Sequence, residues 1–197
     1  MRTLLEFEVE PDLEAFNEAK ALLKERPLTG VAEMMRLAER GSILSMLEIG
    51  RAYYSGTGTT KDYSAAEDWF RRAANARSVL GHYYLGLVQR KTGKPVDALA
   101  SFNFSASSGY GPALYELGKM YFHGMGVAKD LGLASRYLEN ASQAGMISAQ
   151  ALLAHIAILT APDFAGRVRG YLKLLAAIVR GSFLTFKESP DSQKLIQ

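Results

Sequence analysis

The feature that most constrains the fold of this chain is an internal repeat. Residues 45–62, SMLEIGRAYYSGTGTTKD, align without a gap on residues 113–130, ALYELGKMYFHGMGVAKD. Glycines, a tyrosine and an aspartate recur 68 residues apart, as in Gly50 and Gly118. Gly86 marks a third copy between them, with a shorter loop. A period of 32 to 36 residues indicates supersecondary units that stack to bury a shared core.

A second series of positions marks where the units end. Its members are separated by 36, 32, 36 and 36 residues: Gly41, Arg77, Gly109, Gly145 and Gly181. Glycine at these positions fits a helix end, where a left-handed residue closes the last turn. The series predicts five helical hairpins, over residues 12–41, 42–77, 78–109, 110–145 and 146–181. The first and last hairpins have diverged most, as expected for the ends of a stack.

Spacing within each unit is that of two amphipathic helices. We call Gly50, Gly86 and Gly118 the marker glycines. Small residues stand five positions before the marker glycine, aliphatic residues one position before it, and Tyr53 and Tyr121 three positions after it, which gives the i, i+4, i+8 spacing of one apolar stripe. The second helix of a unit begins at an N-cap aspartate, Asp62 or Asp130, or at Pro95 in the first turn. The marker glycine is expected at a close contact between helices.

This pattern resembles the Sel1-like repeat, a relative of the tetratricopeptide repeat. The matching residues are most complete in one copy: Ala113, Leu117, Gly118, Tyr121, Gly124, Gly126, Val127, Asp130, Ala134, Tyr137, Ala141 and Gly145. The resemblance implies an all-α fold, a right-handed superhelical solenoid of about five helix-turn-helix hairpins. It also implies a non-catalytic protein–protein interaction module in a bacterium, an adaptor or regulatory scaffold. Binding of polysaccharide or peptidoglycan during envelope assembly is the alternative.

The two ends of the chain differ from the repeats. Leu5, Phe7 and Val9 alternate with glutamates, which predicts an extended arm over residues 1–11. Such an arm lies along its own solenoid or pairs with a second copy, giving a possible homodimer. Residues 182–197 form a predicted tail, partly disordered because KESPDSQKLIQ is polar and broken by proline.

Composition excludes several classes of function. Lys and Arg number 23 against 20 Asp and Glu, so the net charge of +3 does not call for nucleic acid as a partner. With no cysteine, disulfides and thiolate metal sites are excluded. The segment MRTLLEFEVEPD lacks the apolar region of a signal peptide, and residues 149–161 are too short to span a bilayer. We expect a cytoplasmic protein without membrane insertion.

Catalytic and ligand-binding motifs are not evident. GTGTTKD has the glycines and lysine of a phosphate loop, but GMGVAKD recurs at the same place and both segments join two helices. His82, His123 and His155 lie in different units without a second ligand at helical spacing. The sequence therefore predicts no enzyme, no metal and no cofactor.

The remaining candidate is a surface. The face of each first helix opposite its packing stripe is rich in aromatic and basic residues, which are enriched in binding hot spots. The candidates for a concave groove are Arg51, Tyr54, Tyr83, Arg90, Tyr115, Lys119, Phe122 and His155. They favour a peptide or protein partner with acidic residues and an apolar anchor. The competing interpretation is that Tyr54 and Phe122 fill gaps between hairpins.

Overall fold

A computed structural model describes residues 10–187, and the side chains up to Arg180. Within that range it contains ten α-helices and no strand, which confirms the predicted all-α class. In chain order the helices are α1 Leu13–Glu25, α2 Pro27–Glu39, α3 Ile43–Ser55, α4 Tyr63–Asn75, α5 Val79–Lys91, α6 Pro95–Ser107, α7 Gly111–His123, α8 Leu131–Gln143, α9 Ile147–Thr160 and α10 Phe164–Lys187.

The chain divides into two units, Met1–Ser108 and Gly109–Gln197. In the first unit each helix from α1 to α6 packs against the next one, and α3 also contacts α5. In the second unit α7 to α10 follow the same order of contacts. Contacts between successive helices are those of a repeat solenoid, in which each element is stabilised by its neighbours.

The helix ends follow from local side chains. Ser42 and Ser78 each accept a hydrogen bond from a backbone amide three residues later, at 3.0 and 2.8 Å. Asp62 accepts from Ser64 and Ala65 at 2.8 and 3.1 Å, so it caps α4 as predicted. These bonds satisfy amides that have no partner within the helix.

Marker glycines lie where the two helices of a hairpin approach most closely. A Cβ on Gly50 would fall 2.5 Å from the Phe70 ring, and one on Gly118 would fall 2.6 Å from Leu138. The structure therefore confirms the predicted close contact. Loop glycines serve a different purpose, since Gly56 and Gly124 have φ of 84° and 73°, a conformation that side chains disfavour.

The last predicted hairpin end is wrong in one respect. Gly41, Gly109 and Gly145 have positive φ beyond their helices, and Arg77 adopts φ 63° at the equivalent place. At Gly181, by contrast, α10 continues to Lys187. After Gly181, the next strong helix breaker in the sequence is Pro190.

The structure describes only a small part of the predicted arm and of the predicted tail. Residues 1–9 and 188–197 lie outside the described part of the chain, so the arm, its pairing and most of the tail stay predictions. Glu10 accepts a hydrogen bond from the Leu44 amide at 3.3 Å. Among the described helices, none combines the length and apolar character needed to cross a membrane.

Candidate functional site

A cleft of about 470 Å³ lies entirely within the first unit. It opens between the first helices of successive hairpins, α1, α3 and α5, and reaches α4 at its base. Its lining residues are Lys20, Leu23, Lys24, Glu48, Arg51, Ala52, Tyr54, Ser55, Thr57, Phe70, Tyr84 and Leu87. Basic side chains stand at the rim, and aromatic and aliphatic ones form the floor.

The rim of the cleft carries a net positive charge, because its one carboxylate is shared by two of its three cations. Glu48 Oε1 lies 3.3 Å from Lys20 Nζ and 3.2 Å from Arg51 Nη1. The Glu48 side chain is 16% exposed, whereas those of Lys20 and Arg51 are 46% and 55% exposed. Lys24 is a further exposed cation on the lining. One carboxylate against three cations leaves a positive field over an apolar floor, which attracts anionic groups.

The aromatic floor of the cleft depends on Gly50, which leaves room for the ring of Phe70. Phe70 is 1% exposed, and its ring occupies the space left by the missing side chain of Gly50. Tyr84 stacks on Phe70 with ring centroids 5.2 Å apart. Tyr54 packs against Tyr63 at 5.4 Å, so its ring is held from behind. The aromatic surface is thus fixed before any ligand arrives, which lowers the entropy cost of binding.

Two of the four candidates in this unit line the cleft, namely Arg51 and Tyr54. Tyr83 instead packs against neighbouring rings, with centroids 5.4 Å from Tyr84 and 6.1 Å from Phe102. Within the described part of the chain, neither Tyr83 nor Arg90 contributes to the cleft.

The four candidates of the second unit form contacts with one another and with adjacent side chains. Lys119 Nζ lies 2.7 Å from Glu116 Oε1 and 4.9 Å from the centre of the Tyr115 ring. Phe122 is only 8% exposed and meets the His155 ring edge-on at 5.5 Å. Tyr115 and Lys119 are partly accessible, whereas Phe122 is mainly a packing residue.

Sequence reasoning missed the acids and the first helix. Glu48 and Glu116 stand at equivalent places, two before the marker glycine and three before Arg51 and Lys119. Oppositely charged residues three positions apart on a helix can form an ion pair, so this spacing could have identified both glutamates from the sequence. Lys20 and Lys24 belong to the leading hairpin, which has no marker glycine to set its register.

In a chain without cysteine, the side chains to consider as metal ligands are those of His, Asp and Glu. The described residues include no cluster of three or more His, Asp or Glu side chains with the geometry to hold an ion. Burial lowers the pKa of His82, although its hydrogen bond with the Ala74 backbone acts in the opposite direction. The His82 ring stacks on Phe104 with ring centroids 3.8 Å apart.

Segments of this chain are similar in sequence to known proteins. The Sel1 repeat family matches at residues 43–78 and 111–146. A 41-residue segment is 46% identical to the secretory immunoglobulin A-binding protein EsiB of Escherichia coli. That alignment covers 21% of this chain and 8% of the length of EsiB.

Solved structures of Sel1 repeat proteins resemble the fold. A Sel1 repeat protein from Oxalobacter formigenes superposes with a TM-score of 0.68 at 25% identity, over 87% of this chain and 77% of the other. A protective antigen of uropathogenic Escherichia coli gives 0.64 at 25% identity, over 76% and 33%. An immunity protein from Pseudomonas aeruginosa gives 0.54 at 25% identity, over 85% and 66%.

These relatives come from bacteria, and the superpositions with TM-scores of 0.68 and 0.64 are with a Sel1 repeat protein and a protein of SLR fold. The repeats found by the family model coincide with α3–α4 and α7–α8, the hairpins that have two loop glycines in addition to the marker glycine. Residues 43–78 and 111–146 thus match the Sel1 repeat family, and the described fold resembles that of solved Sel1 repeat proteins.

Proposed function

We propose that the chain is a non-catalytic adaptor or scaffold whose first unit binds a segment of a partner protein. The observation that carries this proposal is the cleft with three cations, one carboxylate and an aromatic floor. Its volume of about 470 Å³ falls within the range of pockets that hold ligands. The segment it suits carries carboxylates beside at least one apolar side chain.

The chemistry of recognition follows from the lining. A partner carboxylate replaces Glu48 as the counterion of Arg51, or pairs with Lys24 at the outer rim. An apolar side chain of the same segment covers Tyr84 and Leu87. Charged contacts at such a rim set the association rate and its salt dependence, while the buried apolar contact supplies most of the affinity.

The comparisons support a protein as the partner class. Sel1 repeats commonly act as protein interaction modules, and EsiB is named for binding secretory immunoglobulin A. Tyr115 and Lys119 remain candidates for a separate contact on the second unit. Tyr83 and Arg90 stay weaker candidates because they do not line the cleft of their own unit, and His155 because its ring packs edge-on against Phe122.

Selection of short random peptides displayed on phage tests the proposal directly. Peptides enriched by the intact chain should contain Asp or Glu next to an apolar residue, and their affinity should fall as salt screens the rim. The double variant Lys24→Glu with Arg51→Gln should weaken the selected peptides by about tenfold or more, since each lost contact of this kind is worth about 1 kcal/mol. Leu87→Ser should weaken them without changing the salt dependence.

A matched control uses charges outside the cleft. Arg36→Gln with Lys91→Glu alters two exposed cations of the same unit and should leave binding intact. Peptides without acidic residues, or equal binding by the cleft variant and the control, would remove the cleft from the proposal.

A further inference from the structure

The last helix has a second apolar face that no described residue covers. One face packs on α9, where a Cβ on Gly170 would fall 2.5 Å from Ile158, and Ala177 is 5% exposed. Seven large hydrophobic residues elsewhere on α10 are between 39% and 79% exposed: Phe164, Val168, Tyr171, Leu172, Leu175, Ile178 and Val179. At 3.6 residues per turn they form one stripe, rotated by roughly 140° from the packed face. We call these seven residues the α10 stripe.

The charge of this helix sets it apart from the rest of the chain. Five of the 23 Lys and Arg residues lie between Phe164 and Lys187, together with none of the 20 Asp and Glu residues. The helix therefore carries +5 and the rest of the chain −2. Arg167 lies next to the α10 stripe on one side and Arg169 on the other, and both are exposed.

The stripe is unsuited to stacking another hairpin of the same kind. Where α5 packs on α4, Gly81 lies so close that a Cβ would fall 2.7 Å from the Ala74 amide nitrogen. Ile178 occupies the place of Ala74 on α10, and it is 53% exposed. A bulky side chain there prevents the close approach that a repeat-type contact uses.

A second copy of the chain is also a poor occupant. Because α10 has no acid along its length, pairing two copies through the stripe brings Arg167 or Arg169 of one near basic residues of the other. Like charges at an interface cost free energy unless counterions separate them. The occupant must therefore be negatively charged as well as apolar.

We propose that the α10 stripe docks on the surface of an anionic lipid bilayer. An amphipathic helix with basic flanks and aromatic or aliphatic side chains on one face lies in the interface between headgroups and acyl chains. Phe164 and Tyr171 supply the aromatic groups, and the arginines on both flanks reach the phosphates. A bilayer accepts an irregular row of bulky side chains, whereas a folded partner needs a matching surface. No described helix is of a length and composition to span the bilayer, so the contact is interfacial.

Co-sedimentation of the full chain with sucrose-loaded vesicles tests this docking. Vesicles of phosphatidylcholine with about one-third phosphatidylglycerol should bind the protein at least about tenfold more than pure phosphatidylcholine vesicles. Leu172→Glu with Leu175→Glu should lower binding to the anionic vesicles by about tenfold or more, because both leucines enter the interface. Arg167→Gln with Arg169→Gln should lower it to a similar extent and reduce its salt dependence.

Control variants change the same residue types elsewhere. Leu28→Glu alters a leucine that is 78% exposed on α2, and Arg36→Gln alters an exposed arginine of the same helix. Both should bind like the unmodified chain, and all variants should keep its helical circular dichroism and melting temperature.

Several results would overturn the docking. They are equal binding to neutral and anionic vesicles, an α10 double variant that binds as well as the controls, and a dimer in light scattering that Leu172→Glu dissociates. Failure to bind vesicles together with binding to an acidic amphipathic helical peptide would assign the stripe to a protein instead.

Discussion

At the scale of single residues, the marker glycines decide how closely two helices of a hairpin approach. Phe70, Phe102 and Leu138 each press on the glycine of their own hairpin, and all three are fully buried. A Cβ added to the glycine would therefore clash with a buried side chain that has no free space to move into.

Gly118→Val should therefore destabilise the second unit. The added Cβ alone would fall 2.6 Å from Leu138 Cγ, and overpacking of this kind typically costs about 1–3 kcal/mol. The free energy of unfolding in urea measures the effect. Gly132→Val is the matched control, because a Cβ there meets only Asp130 Oδ1 at 3.3 Å. Equal stability of both variants would show that Leu138 moves aside without cost.

His82 makes stability depend on pH. Burial lowers its pKa in the folded chain below the unfolded value of about 6.5, so the unfolded state takes up the proton more readily. The contribution of His82 is fully present above that pH and is lost as the pH falls below it. Urea unfolding at pH 7.5 and at pH 5 should show a larger loss of stability for the native chain than for His82→Gln. His155→Gln, altering an exposed histidine, should behave like the native chain.

At the scale of helices, most of the fold was open to prediction from the sequence. Periodicity identifies the hairpins, and Ser42, Ser78, Asp62 and Asp130 begin their helices through capping bonds that depend on residues at most three positions away. Local rules suffice there because both partners lie in one short segment. The continuation of α10 beyond Gly181 was missed because a glycine ends a helix only when the following residues favour leaving it.

The short loop before α6 depends on a contact that no local rule predicts. Lys94 Nζ bonds Glu67 Oε2 at 2.9 Å, across 27 residues, and Arg71 bonds the other oxygen at 2.5 Å. The Glu67 side chain is 8% exposed, while its two partners are about half exposed. This buried carboxylate ties the loop of the α5–α6 hairpin, which has one glycine where the α3–α4 loop has two, to α4 of the preceding hairpin.

Replacing Lys94 by Ala should weaken this anchor. Glu67 keeps Arg71 but loses one partner, and a partly buried charge that loses a partner typically costs about 1–2 kcal/mol. A double-mutant cycle with Glu67→Gln, followed by urea unfolding, isolates the pair. Glu33→Ala breaks the exposed Glu33–Arg36 pair and should change stability by less than about 0.5 kcal/mol. A coupling no larger than that of the exposed pair would contradict the anchor.

At the scale of the whole molecule, the candidate site was predictable only in part. Arg51 and Tyr54, which line the cleft, could be selected because they follow the marker glycine at fixed positions. Lys20 and Lys24 of α1 could not be selected from the sequence, since α1 lies outside the recognisable repeats and only the packing of the helices brings it to the cleft. Phe122 was expected on an open face but is covered by His155 and His123, because periodicity gives the face of a helix and not what lies against it.

The same nearest-neighbour packing predicts the result of shortening the chain. Ala149, Ala154 and Ile156 of α9 are 4% exposed or less, and α9 packs on α8 as well as on α10. Removing residues 147–197 therefore uncovers the side of α8 that packs on α9 and leaves α7 as its main packing partner. Newly exposed apolar surface of this kind favours association between copies.

Size-exclusion chromatography with light scattering should show the shortened chain as aggregates, under conditions in which the full chain is dispersed. The full chain carrying Leu172→Glu is the control, because it changes the exposed face of α10 and leaves α8 covered. If the shortened chain stays monomeric with an unchanged melting temperature, α9 and α10 do not protect the hairpin before them. The second unit would then owe its stability to α7 and α8 alone, contrary to the one-dimensional coupling on which a solenoid depends.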